Sequence, residues 1–174
     1  MLARGAAPRR EVAAPPPDEG PGVDDLTLPE SAIRDRGIVA LISLVQQVQQ
    51  LRIVVYRHFD DSFERLVTAG DADGYPPCVE RFKPKFLACD SGLERVAMRL
   101  DALQQAPLGN MVRDVIRRER KRYDAKCDEQ VCRQRLSVTD VEADDHPELK
   151  KRVQTLGATL ASEGAAVEEA LEEL

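Results

Sequence analysis

The densest local charge in the chain is a basic run, Arg113, Arg117, Arg118, Arg120, Lys121, Arg122 and Lys126, offset only by Asp114, Glu119 and Asp124. Guanidinium and ammonium groups at that density can hold phosphate or carboxylate oxygens through charge-assisted hydrogen bonds. A helix that reads a DNA groove gathers its basic groups towards one face, with hydrogen-bonding neighbours for the base edges. On a helix, at about 100° per residue, these seven instead spread over every direction except the apolar stripe. Two readings therefore stand: a solvated helix face, or a surface that contacts DNA or an acidic partner.

Other chemistry finds little support. There is no nucleophile beside a base, no glycine-rich phosphate loop and no framed pair of carboxylates. His58 follows Arg57 and His146 precedes Pro147, so each reads as a surface or cap residue. Cys78, Cys89, Cys127 and Cys132 lack C-x-x-C spacing. They read as reduced thiols packed as small apolar groups, and no metal or cofactor is expected. Asp140, Glu142, Asp144 and Asp145 lack the glycine and terminal glutamate of a calcium loop and read as a solvated acidic loop. The expectation is a protein that is not an enzyme and acts by binding.

The elements that must carry these residues are helices. From Ser31 to Ala69, apolar residues recur at Ile38, Leu41, Val45, Val48, Leu51, Val55, Phe59, Phe63 and Leu66. Gaps of three and four place them on one helix face. A second helix over about 79–104 carries a heptad-like seam at Val79, Phe82, Phe86, Cys89, Leu93, Val96, Leu100 and Leu103. Pro84 is expected in its first turn, after a separate short turn. A third helix, about 111–136, has a poorer stripe at Val112, Ile116, Tyr123, Cys127 and Val131, with Glu119 where an apolar residue is expected. A fourth, about 147–173, opens at Pro147 and carries Leu149, Val153, Leu156, Leu160, Val167, Leu171 and Leu174, with Gly164 interrupting. Gly70, Gly74 and Gly109 read as helix-terminating residues.

Short connections make sequential helices neighbours, which predicts an all-α, antiparallel four-helix, coiled-coil-like bundle over residues 30–174. A first helix of roughly 60 Å would project beyond its neighbours. It would expose Ile38, Leu41, Val45 and Val48 as a seam for a partner helix, with self-association left open. Residues 1–29, with Pro8, Pro15, Pro16, Pro17, Pro21 and Pro29, read as a disordered tail.

Composition bounds the function classes. A hydrophobic fraction of 43% beside 32% charged residues suits one folded unit, and only 4% aromatic residues favours a thin helical bundle over a deep cleft. A net charge of -6 argues against wholesale binding to nucleic acid or anionic lipid. No run approaches the roughly 18 consecutive apolar residues of a membrane span, so a soluble intracellular protein is expected. The three arginines of Met1–Arg10 only faintly resemble an import signal.

The run Leu44-Val45-Gln46-Gln47-Val48-Gln49-Gln50-Leu51 followed by Phe59, the Gly70–Tyr75 turn, and then Phe86, Leu93, Val96 and Leu100 resembles the Required-for-excision 1-B domain family of DNA repair accessory proteins. The likeness spans about residues 38–174. It implies a nuclear accessory role in excision of damaged DNA, with the basic helix contacting DNA or an acidic repair partner, and no catalytic residue. The competing expectation is a structural subunit of a cytoskeletal, ciliary or trafficking assembly.

Overall fold

The computed structural model describes residues 20–138 and 145–174. Residues 1–19 of the expected tail, and Asp140, Glu142 and Asp144 of the expected acidic loop, lie outside these. The described chain is all-helical: α1 (Val23–Leu26), a 3-10 turn (Glu30–Ala32), α2 (Ile38–Ala69), α3 (Tyr75–Ala102), α4 (Ala106–Val138) and α5 (His146–Glu172). No strand occurs among the described residues.

The punctuation is local chemistry. Gly37, in extended conformation, precedes α2, so Ser31 is not its cap but lies in the 3-10 turn. Gly70 ends α2 at a φ of 67°, a conformation that costs glycine little. There the Asp71 amide donates to Leu66 O at 2.9 Å and the Gly70 amide to Val67 O at 3.1 Å, closing the helix with a Schellman pair. Pro76 and Pro77 occupy the first turn of α3, where their missing amides leave no bond unmade.

Three boundary expectations change. α3 starts at Tyr75 and runs unbroken through Pro84, so that proline is interior to the helix. α4 starts at Ala106, and Pro107 and Gly109 fall inside it. Gly109 ends no helix: a Cβ there would stand 3.1 Å from Ala97 O, so its role is the close approach of α4 to α3. α2, α3 and α4 consequently have 32, 28 and 33 residues, and the first helix has no excess length to project.

Pro84 removes one helical bond and crowds the preceding turn, a cost of about 3 kcal/mol in an undistorted helix. The residue is exposed, so no packing is lost by replacing it. Pro84→Ala is expected to raise stability by about 1–3 kcal/mol, read as a higher urea midpoint at constant slope.

Side-chain partners give the helix directions. Arg52, Tyr56, Phe59 and Phe63 of α2 meet Asp90, Phe86, Phe82 and Tyr75 of α3, so these helices run oppositely. Asp101, Asp90 and Phe86 meet Arg113, Arg120 and Tyr123, reversing direction again into α4. α2 and α4 therefore run alongside in the same sense, as Tyr56–Glu119 and Glu64–Arg133 confirm. α5 packs along α4, with Lys121–Glu163 and Arg152–Asp128 marking an antiparallel pair.

The core is shared mainly by α2, α3 and α4, and α5 buries Val167 into it with Ala170, Leu171 and Leu174 at its margin. Leu149, Val153, Leu156 and Leu160 are only half-buried, because α5 has one principal neighbour. Residues 20–29 also belong to the fold: Leu26 is buried and Leu28 packs on Gly92 of α3.

Leu41, Val45 and Val48 are fully buried in the same core, and of the expected partner seam only Ile38 reaches the surface. The seam is covered from within the chain. By length and hydropathy α2 could also cross a membrane, contrary to the reading of the sequence by unbroken apolar runs. Here its apolar face, from Leu41 to Phe63, is instead the inner face of the core.

Candidate functional site

At mid-height of the three core helices a group of ionised side chains replaces apolar packing. Arg52 of α2 is 2% exposed and its guanidinium donates to Asp90 Oδ1 of α3 at 2.5 Å. Its other terminal nitrogen lies 4.0 Å from Glu119 Oε2 of α4. Asp90 Oδ2 accepts from Arg120 Nε at 2.8 Å, while Arg122 stands 3.6 Å from Glu119 Oε1. The Tyr56 hydroxyl donates to Glu119 at 3.3 Å, and Arg122 lies over the Tyr56 ring at 4.8 Å. Each helix supplies a buried ionisable member, Arg52, Asp90 or Glu119, with Tyr56 added from α2, so the network can form only when all three are in register.

Its electrostatics favour permanent charge. Burial opposes ionisation of Arg52, but Asp90 and Glu119 beside it outweigh that and hold its pKa above the usual value. Burial, followed by the Glu119 carboxylate, pushes the Tyr56 hydroxyl well above its ordinary range, keeping it a neutral donor. Arginine, a protonated phenol and paired carboxylates form a rigid polar lock.

Above the lock an open cleft of about 230 Å³ reaches the surface between α3 and α4, bordered by Lys83, Leu87, Tyr123 and Asp124. Leu87 is exposed there, whereas Phe86 beneath it belongs to the core.

The basic run of α4 is largely engaged within the chain. Arg113 pairs with Glu94 and Asp101, Arg117 and Arg118 with Asp114, and Arg118 and Lys121 with Glu163 of α5 at 3.6 Å. Lys126 lies 3.2 Å from Asp60 of α2, and Arg120 and Arg122 complete the buried network. The spread of these residues around the helix thus has a structural cause: α4 is in contact with α2, α3 and α5, and directs cations to each. Arg117, Arg120 and Lys121 remain more than half exposed.

His58 lies against Gly20, and His146 is buried at the first residue of α5. All four cysteines are free; burial raises the thiol pKa of Cys78, Cys89 and Cys127, which suits packed, unreactive groups. Among the described residues no three His, Cys, Asp or Glu side chains are placed to hold a metal ion. Of the network, Glu119 had signalled itself as a break in an apolar stripe, whereas Arg52 and Asp90 had not.

Comparison with known proteins matches the family described as DNA repair REX1-B over residues 40–133, the stretch from the start of α2 into the last turns of α4. Neither a curated protein nor a solved structure matches the chain.

Proposed function

We propose that this chain, which belongs to the DNA repair REX1-B family, is a non-enzymatic helical adaptor in the excision of DNA damage, acting in the nucleus through protein partners. The observation that carries this reading is the family match itself, which covers α2, α3 and most of α4 and so encloses the whole ion network. The network supports an adaptor because it fixes three helices in one register and presents their outer faces as a rigid surface. Direct contact with DNA is a minor part of the role: the net charge is -6, and the basic run of α4 is engaged with carboxylates of its own chain. The alternative of a structural subunit in a larger helical array rested on a projecting seam, and Leu41, Val45 and Val48 are taken up in the core.

In cells lacking the chain, removal of ultraviolet photoproducts is expected to slow and survival after irradiation to fall. Both should be restored by the intact protein, and also by a form carrying Arg117→Glu and Lys121→Glu. Photoproduct removal at the normal rate would overturn the repair role. Failure of the charge-reversed form, with its fold intact by circular dichroism, would move the contact to DNA and the exposed cations of α4.

A further inference from the structure

The segment leading into α2 crosses the far half of α3, and at the crossing lies an open cleft of about 420 Å³ lined by Glu30, Ile33, Arg34, Arg95, Met98 and Arg99. Three guanidiniums face one carboxylate, in a chain that is acidic as a whole. Arg34 is held by Glu30 at 2.6 Å, and Arg95 donates to Leu28 O at 2.7 Å, pinning the segment to α3. Arg99 is different. The Nε atoms of Arg95 and of Arg99 are both buried without an acceptor, but Arg99 also lacks the backbone bond that Arg95 makes, and no carboxylate among the described residues lies within ion-pair distance of its guanidinium. Beside it Met98 is 52% exposed, while Ile33 is buried beneath.

Glu30 indicates what the cluster accepts. Its carboxyl is held below the usual range, first by the hydrogen bond and charge of Arg34 and then, more weakly, by Arg95. A second carboxylate placed over Arg99 would meet an unpartnered fork donor suited to two parallel hydrogen bonds. An apolar side chain next to it would cover Met98.

We propose that this cleft docks an acidic segment of a protein partner, with a carboxylate on Arg99 and Arg95 and an adjoining apolar side chain on Met98. The assignment rests on the adaptor reading and gives that reading a surface. Nucleic acid fits the cleft less well, because a duplex presents a phosphate charge about every 1.7 Å and needs an extended row of cations. This cluster is compact and carries Glu30 within it.

The test is fluorescence anisotropy on the purified full chain with a short labelled peptide alternating Asp with Leu and Phe. A peptide with Lys in place of Asp and a single-stranded oligonucleotide serve as separate arms. The acidic peptide is expected to bind, and Arg99→Glu to weaken it about tenfold or more, as reversal of a charge contact does. Met98→Asp should also weaken it, while Arg117→Glu on α4 should not. Arg99→Glu should lower the unfolding temperature only slightly, because it breaks no ion pair among the described residues and costs only the exchange of a cation for an anion in the last turn of α3. Peptide affinity that survives Arg99→Glu, or binding of the oligonucleotide in preference to the peptide, would overturn the proposal. A repair defect in cells with no peptide binding would sink the cleft alone; peptide binding with normal photoproduct removal would sink the repair role alone.

Discussion

Replacing Arg52 by leucine is expected to destabilise the protein by about 3–5 kcal/mol, measured as a fall in the urea midpoint with little change in slope. Leucine replaces only the start of the aliphatic stem of the largest fully buried side chain, so the loss combines stranded charge with vacated volume. Asp90 and Glu119 would remain, 6% and 2% exposed, without the cation between them. Arg120 and Arg122 still reach those carboxylates from the surface side and compensate in part, which places the expected cost towards the lower figure. Arg120→Leu, by contrast, removes a mostly solvated partner and should cost under about 1 kcal/mol. Leucine at Arg52, Asp90 and Glu119 together should recover most of the loss, because an apolar replacement of a complete buried ionic group is often neutral. If Arg52→Leu alone left stability unchanged, the network would have no part in fixing helix register, and the rigid-surface argument for an adaptor would lose its physical basis.

How far the sequence discloses this arrangement depends on the range of each interaction. Helix identity is local and was legible: gaps of three and four from Leu41 to Phe63 and from Phe82 to Leu100 mark the two best-packed faces, and Gly70 closes α2 as its type predicts. Prolines misled because position within a helix, not residue type alone, decides their effect. Pro76, Pro77 and Pro107 lie in or near first turns, where no bond is lost, so α3 and α4 extend beyond the limits the prolines suggested.

The site was legible only at Glu119, whose carboxylate interrupts an apolar stripe. Arg52 and Asp90 stand 38 positions apart, and nothing in the periodicity joins them. The basic run drew attention for its density, yet its cations pair with Asp60, Asp90, Asp101 and Glu163 on three other helices, relations set by packing. The cleft at Arg99 was hidden for a further reason. It exists because Leu26 and Ile33 bury their side chains and bring Arg34 over α3, whereas the sequence pointed to a proline-rich tail at Leu26 and to the start of the first helix at Ile33 and Arg34.

Phe59→Ala is expected to cost about 3–5 kcal/mol, as large as the loss of Arg52 but with no charge stranded. Phe59 is fully buried, and its ring centroid lies 5.3 Å from Phe82, 6.0 Å from Phe86 and 6.3 Å from Tyr123. One side chain thus joins α2 to both α3 and α4, one helical turn from Tyr56 and the ion network. Truncation removes the transfer free energy of the ring and leaves a cavity that Phe82 and Phe86 can fill only by leaving their own rotamers. Leu87→Ala, at a half-exposed position on α3, should stay within about 0.5 kcal/mol. Because Phe59 touches no surface described above, its alanine variant should bind the acidic peptide normally while folded and lose binding only as it unfolds. The affinity and circular-dichroism transitions should then coincide on heating, as a two-state domain requires. Binding lost well below the unfolding temperature would instead show that the segment over Arg99 detaches before the three core helices separate, making the cleft a locally unstable feature and not a rigid one.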